Sequence, residues 1–251
     1  MAVLSCEDVS LSYGSVLAVD DVSLSIEQNE WVSIVGPNGA GKTSLLNVLN
    51  GFNEPDDGFV YLNDEDITLL APWKRARKGL SRTFQQGELF EHKDAIENLL
   101  AIRGLTNTPR LWEAMLWFGP GRGKEAENVE AVEEMIDYLE LWEYRHKPVA
   151  KLPLGIRRRI SLGRSLMLEP DVLLLDEIMS GLTFDEKYNI IRFLSDIWEE
   201  QQLTLIMIEH DLQVVTSVSE RLIVLDEGQV IADGTPEAVA EDPYVREVYT
   251  G

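Results

Sequence analysis

A single cysteine, Cys6, rules out an internal disulfide and agrees with a reducing compartment. The chain also lacks any apolar run approaching the roughly 20 residues that span a bilayer. Its opening stretch, MAVLSCEDVSLSYG, has no basic-then-apolar secretory pattern, so a cytoplasmic location is expected. Basic residues are scarce: 22 Lys and Arg stand against 44 Asp and Glu, a net charge of −22. A field of that sign repels phosphate backbones and argues against a nucleic-acid partner. It fits a well-solvated surface, or adaptation to high salt, where screening makes a dense acidic surface tolerable.

What is present is enough for one large domain, or a domain with a substantial insert: 251 residues, 45% of them hydrophobic. Partial alternation predicts early strands in VLSCEDVSLSY and DVSLSIEQ. WVSIVG is a short apolar run ending in a Gly-rich turn, and KTSLLNVLN reads as a helix from Lys42 to Asn50, stopped by Gly51. GFVYLN leads on to LSRTFQQ. From about residue 89 to 164 the pattern turns helical, in DAIENLLAI, LWEAMLWF, AENVEAVEEMIDYLELW and RRRISLGRSLM, with GPGRGK expected as a break. After Pro170, strands return in VLLLDE, LTLIMIE and RLIVLDEG, separated by helices near 185–200 and 211–218. Alternating strand and helix with a helical interruption predicts an α/β body carrying an inserted helical subdomain.

Two motifs carry chemistry. GPNGAGKT, Gly36 to Thr43, fits G-x-x-x-x-G-K-[ST], between a strand and a helix. Gly39 and Gly41 let the backbone approach phosphates, so that N–H groups point at anionic oxygens and the following helix adds its positive end. In that pattern Lys42 reaches the β- and γ-phosphates of ATP and the Thr43 hydroxyl ligates Mg²⁺. VLLLDE places Asp176 and Glu177 at the C-terminal end of a buried strand, where open α/β sheets hold ligands. Asp176 suits a Mg²⁺-facing role, and Glu177 suits orienting or deprotonating an attacking water.

Through these two motifs and the rest of its length, the chain resembles the ATP-binding subunit of an ABC transporter. The resemblance implies a P-loop ATPase core, a mixed sheet with flanking helices and an antiparallel β subdomain, over residues 1–251, with the helical subdomain inserted at about 89–164. It implies that Tyr13 stacks on adenine and that Gly36, Pro37, Asn38, Gly39, Ala40, Gly41, Lys42, Thr43 and Ser44 hold the phosphates. Gln85, in SRTFQQ, matches the glutamine that senses Mg²⁺, with Gln86 a competing choice, and His210, in EHD, matches the histidine at the γ-phosphate. His92 and His146 match no motif. RTFQ, IEHD and the closing VLDEGQVIADGTPEAVAEDPYVREVYTG look like the branched-chain amino-acid importers, with urea and short-amide importers as close relatives. Two membrane-spanning permease subunits, a second ATPase subunit and an extracytoplasmic solute-binding protein are the implied partners, and the cytoplasmic face of the cell membrane the implied location.

The family's signature, L-S-G-G-Q, binds the γ-phosphate held by the opposite subunit; here it reads Leu152, Pro153, Leu154, Gly155, Ile156. Pro153 offers neither hydroxyl nor N–H. The Leu154 and Gly155 N–H groups, a helix start and Arg157, Arg158 and Arg159 are what the altered loop is expected to use. Ile178 replaces the proline that follows the catalytic Glu, and Thr183 replaces the Asp that communicates across the dimer.

Overall fold

The computed structural model describes residues 2–83, 89–106 and 121–250. They fall into two compact units, one from Met1–Thr83, Pro170–Ser180 and Leu194–Gly251, the other from Phe84–Glu169 and Gly181–Phe193.

The first unit contains two sheets. Strands β1 (Ala2–Tyr13), β2 (Val16–Glu27), β4 (Asp57–Leu62) and β5 (Glu65–Asp66) form an antiparallel sheet in the order β2-β1-β4-β5. The second sheet has the order β10-β9-β3-β8-β7-β6, from β3 (Trp31–Val35), β6 (Leu80–Thr83), β7 (Val172–Asp176), β8 (Thr204–Ile208), β9 (Arg221–Asp226) and β10 (Gln229–Gly234). Its pairs are parallel except β9 with β10, so the sheet is mixed. Every residue of β3, β7 and β8 is buried, which is why WVSIV, VLLLD and TLIMI read as continuous apolar runs without alternation. One core joins the two sheets through helix α1 (Lys42–Asn50), with Leu45, Leu46 and Leu49 packed among Leu4, Ile26, Ile34 and Leu174. Short helices α2 (Pro72–Ala76), α7 (Leu212–Val218), α8 (Pro236–Glu241) and α9 (Pro243–Thr250) complete this unit.

In the second unit α3 (Ala95–Thr106), α4 (Gly121–Tyr138) and α5 (Leu154–Leu166) pack together, joined by the first half of α6 (Phe184–Gln201). Gly163 marks a tight crossing: a Cβ there would press on Leu99, Met135 and Leu139.

Three boundaries differ from the sequence reading. GPGRGK does not break the chain throughout, since α4 begins at Gly121; glycine costs about 1 kcal/mol inside a helix, and a first turn is where its cost matters least. The same helix stops at Tyr138, four residues before the expected end, where Glu140 turns left-handed at φ 53°. β10 has no counterpart in the sequence pattern, because its turn, Glu227–Gly228, carries glutamate rather than Asn or Asp at a left-handed position. LWEAMLWF lies outside the described residues.

Candidate nucleotide site

In the strand order β3-β8-β7, register pairs Ile34 with Ile208 and Ile208 with Asp176. Three C-terminal strand ends therefore lie side by side. The first feeds the Gly36–Thr43 loop, the second Glu209 and His210, the third Asp176 and Glu177.

The loop depends on two glycines for space. Gly36 is at φ 150° against the Leu225 carbonyl, and Gly41 at φ 95° against the Ala18 carbonyl; a Cβ at either position would run into that oxygen. Gly41 is also the left-handed N-cap of α1 and supplies no side-chain cap, so the first N–H groups of the helix are left for another acceptor. Pro37 and Ser44 are half-buried, Ala40 is buried, and Asn38, Gly39 and Thr43 are exposed. Lys42 is buried and folds back, its Nζ donating to the Gly36 and Pro37 carbonyls, each at 2.8 Å. Burial pushes its ammonium pKa down, while the Glu177 carboxylate pulls it back up. An anion between loop and lysine would compete with the Gly36 and Pro37 carbonyls for the Lys42 ammonium.

Asp176 is 4% exposed. Its Oδ2 accepts from Arg82 at 2.8 Å, and Arg82 also donates to Asn47 Oδ1 at 2.7 Å, tying β6 and β7 to α1. The other oxygen, Asp176 Oδ1, is buried without a hydrogen-bond partner. A buried carboxylate oxygen left bare is costly, and the cost is removed when a cation or a water held by one occupies the position. No group of three or more His, Cys, Asp or Glu among the described residues could hold a metal. A site with one carboxylate and one hydroxyl, Thr43, suits Mg²⁺, which keeps waters and binds mainly through phosphates.

Glu177 has φ 46°, a left-handed conformation uncommon for a residue with a side chain. Its N–H donates to the Ile208 carbonyl at 2.9 Å, holding the bend against β8. Its Oε1 pairs with His210 Nε2 at 2.6 Å. The buried Glu209 accepts from the Met179 N–H at 2.8 Å, anchoring the loop after Glu177, where Ile178 is buried as an apolar residue. Sequence reasoning missed Arg82 and Glu209; the available signal was a charge inside or beside an apolar strand, which has to find a partner.

Of the other expected residues, Tyr13 ends β1 at 47% exposure. Gln85 lies outside the described residues. His92 is exposed, and His146 is an exposed side chain 3.6 Å from Asp94. In the second unit Pro153 is the N-cap of α5, and Leu154 and Gly155 are its first two residues. Glu186 Oε1 lies so close to Gly155 that a Cβ at this position would collide with it.

The family model described as ABC transporter matches residues 19–180. The chain belongs to the ABC transporter family. Residues 229–251 also match the model described as branched-chain amino acid ATP-binding cassette transporter. The chain is 34% identical to the high-affinity branched-chain amino acid transport ATP-binding protein BraF of Pseudomonas aeruginosa, over 99% of this chain and 98% of that one. It is 32% identical to LivG of Escherichia coli, which carries the same description, again over 99% and 98%. Among solved structures it superposes on the ADP conformation of MJ1267, an ATP-binding cassette of an ABC transporter, with TM-score 0.86 and 30% identity, over 100% of this chain and 99% of that one. The expected α/β P-loop ATPase fold is thus the fold found. No helix among the described residues is long and apolar enough to cross a membrane.

Proposed function

We propose that this chain is the ATP-hydrolysing subunit of an importer for branched-chain amino acids, one ATP-binding domain over residues 1–251 with a helical subdomain at about 89–164. The relatives' names and the match at 229–251 favour that solute class over urea or short amides. The single observation that best supports the chemistry is the convergence at three strand ends: a phosphate loop, a carboxylate oxygen with no partner, and a Glu–His pair.

In this reading Tyr13 stacks on adenine, and the N–H groups of Gly36 to Ser44 take the phosphate oxygens. Lys42 exchanges two carbonyls for the β- and γ-phosphates, a stronger, charge-assisted contact. Thr43, Gln85 and Asp176 would hold Mg²⁺, which would neutralise charge on the phosphates of a bound nucleotide. Glu177 orients the attacking water and accepts its proton; His210, released from Glu177, donates to the γ-phosphoryl oxygens as charge develops there. Catalysis is positioning and electrostatics. The Leu154 and Gly155 N–H groups serve the nucleotide of a second ATPase subunit, identical or distinct. Two permease subunits and an extracytoplasmic solute-binding protein complete the complex, with this chain peripheral on the cytoplasmic face. Nucleic acid is not a partner.

Glu177→Gln is expected to keep ATP binding and to slow hydrolysis by a factor of about 10² or more, the scale of general-base catalysis. Hydrolysis at the normal rate would refute the role of Glu177. The solute is tested on the complex purified from its native membrane, with amino acids, amides and urea screened for stimulated ATPase activity. Stimulation by urea alone would overturn the branched-chain reading.

A further inference from the structure

The guanidinium of Arg82, near the end of β6, sends its two arms to different elements. Nη2 donates to Asp176 Oδ2 at 2.8 Å and Nη1 to Asn47 Oδ1 at 2.7 Å. The Phe52 ring, 5.8 Å away, holds the group from a third side. Arginine and carboxylate commonly pair through two parallel hydrogen bonds, one to each oxygen. Here Asp176 receives one, and its Oδ1 stays buried without a hydrogen-bond partner. The strands do not need the ion pair to stay together. β6 and β7 are in register from Leu80 with Val172 to Thr83 with Leu175, and the Asp176 N–H donates to Thr83 Oγ1. What the divided fork does is leave one carboxylate oxygen bare. Asn47 is the acceptor that divides it, and it follows Thr43 by four residues, one turn along the same face of α1.

Resting on the reading of Thr43 and Asp176 as Mg²⁺ ligands, we propose that Asn47 and Arg82 are positioning residues for the metal. Asn47 draws one arm of the guanidinium away from Asp176 and so reserves Oδ1 for the cation. Arg82 in turn ties the helix face that carries Thr43 to the strand end that carries Asp176, which fixes the two ligands relative to each other. Neither residue touches metal or nucleotide in this scheme. Without an acceptor at position 47, Nη1 turns to Oδ1, the pair closes through two parallel bonds, and a cation has to break one of them to bind. The same change strengthens the ion pair. A weaker metal site in a fold that is no less stable is therefore the mark of this role. Residues that only brace the fold would lose stability and leave metal affinity alone.

The test is the Mn²⁺ affinity, by electron paramagnetic resonance, of the purified chain saturated with a non-hydrolysable ATP analogue, beside the urea midpoint of the same variants. Asn47→Leu removes the acceptor and is expected to weaken Mn²⁺ binding about tenfold, the factor one charged hydrogen bond contributes, with an undiminished midpoint. Binding of the analogue in EDTA should not change. Asn47→Asp keeps an oxygen for Nη1 and should hold Mn²⁺ at least as tightly as the unmutated chain. Arg82→Lys has no fork to close, so adding Asn47→Leu to it should bring no further loss. Unchanged Mn²⁺ affinity or a lowered midpoint in Asn47→Leu, equal weakening in Asn47→Asp, or a further loss in the Arg82→Lys background would overturn the proposal. Should Asn47→Leu fail to fold, Asn47→Ala, which also lacks the acceptor, carries the same expectations. Mn²⁺ held by the unmutated complex no more tightly than by the analogue in solution would instead refute the reading of Thr43 and Asp176 as ligands, and the proposal with it.

Discussion

At the scale of single residues, Arg82 and Asp176 form an ion pair with side chains only 4% and 6% exposed. Removing one member strands a buried charge, so Arg82→Ala should destabilise the fold by about 3–5 kcal/mol, read from urea unfolding. A loss below about 1 kcal/mol would place the pair in the weak class of solvent-exposed bridges. Cys6 supplies a pH dependence. The thiol is 1% exposed, and burial pushes its pKa up from 9.0 to about 12. Above pH 9 the unfolded chain gives up the proton while the folded one retains it. The contribution is therefore full below pH 9 and is lost as pH rises towards 12, by about 1.4 kcal/mol per pH unit. Cys6→Ala should flatten that part of the stability profile, and an unchanged alkaline slope would count against it.

At the scale of elements, the phosphate loop and α1 are held from both ends. Gly41 closes the loop where no side chain fits, so Gly41→Ala should abolish ATP binding by the purified chain in equilibrium titration. Undiminished affinity would show that the loop can shift away from Ala18. At the other end, the fully buried Arg75 donates to the carbonyls of Val48, Leu49, Leu70 and Thr68 at 2.7–2.9 Å. It neutralises the negative end of α1 and satisfies carbonyls that the helix cannot. Burial lowers its pKa to about 10, a sign of how expensive the charge is there. Arg75→Met would take these donors away, leaving only the Val48 carbonyl with another partner, the Gly51 N–H. The expected cost is about 3 kcal/mol or more, at roughly 1–3 kcal/mol per unsatisfied group, measured as a lower urea midpoint. The loop itself was legible in the sequence because all its parts are contiguous and its glycines announce the backbone. Arg75 was not, since its acceptors are gathered by a turn of chain that no periodicity reveals.

For the whole molecule, a net charge of −22 means self-repulsion that added salt screens. The melting temperature should rise as NaCl goes from low to physiological and then to molar concentration; a falling melting temperature would exclude adaptation to high salt. The sequence by itself determined the fold class, the phosphate loop, and the carboxylates that end β7. Each of these is a local pattern: an apolar run, a glycine spacing, a charge at a strand end. Tertiary structure alone decided which partner each charge meets. Asp176 finds Arg82, 94 residues away, because β6 and β7 pair in parallel, and Glu177 finds His210 because β7 and β8 do. Glu186 likewise meets Gly155 only where the chain returns beside the start of α5. A carboxylate's role depends on the potential around it, and that potential is set by groups distant in sequence, brought near only when the core closes.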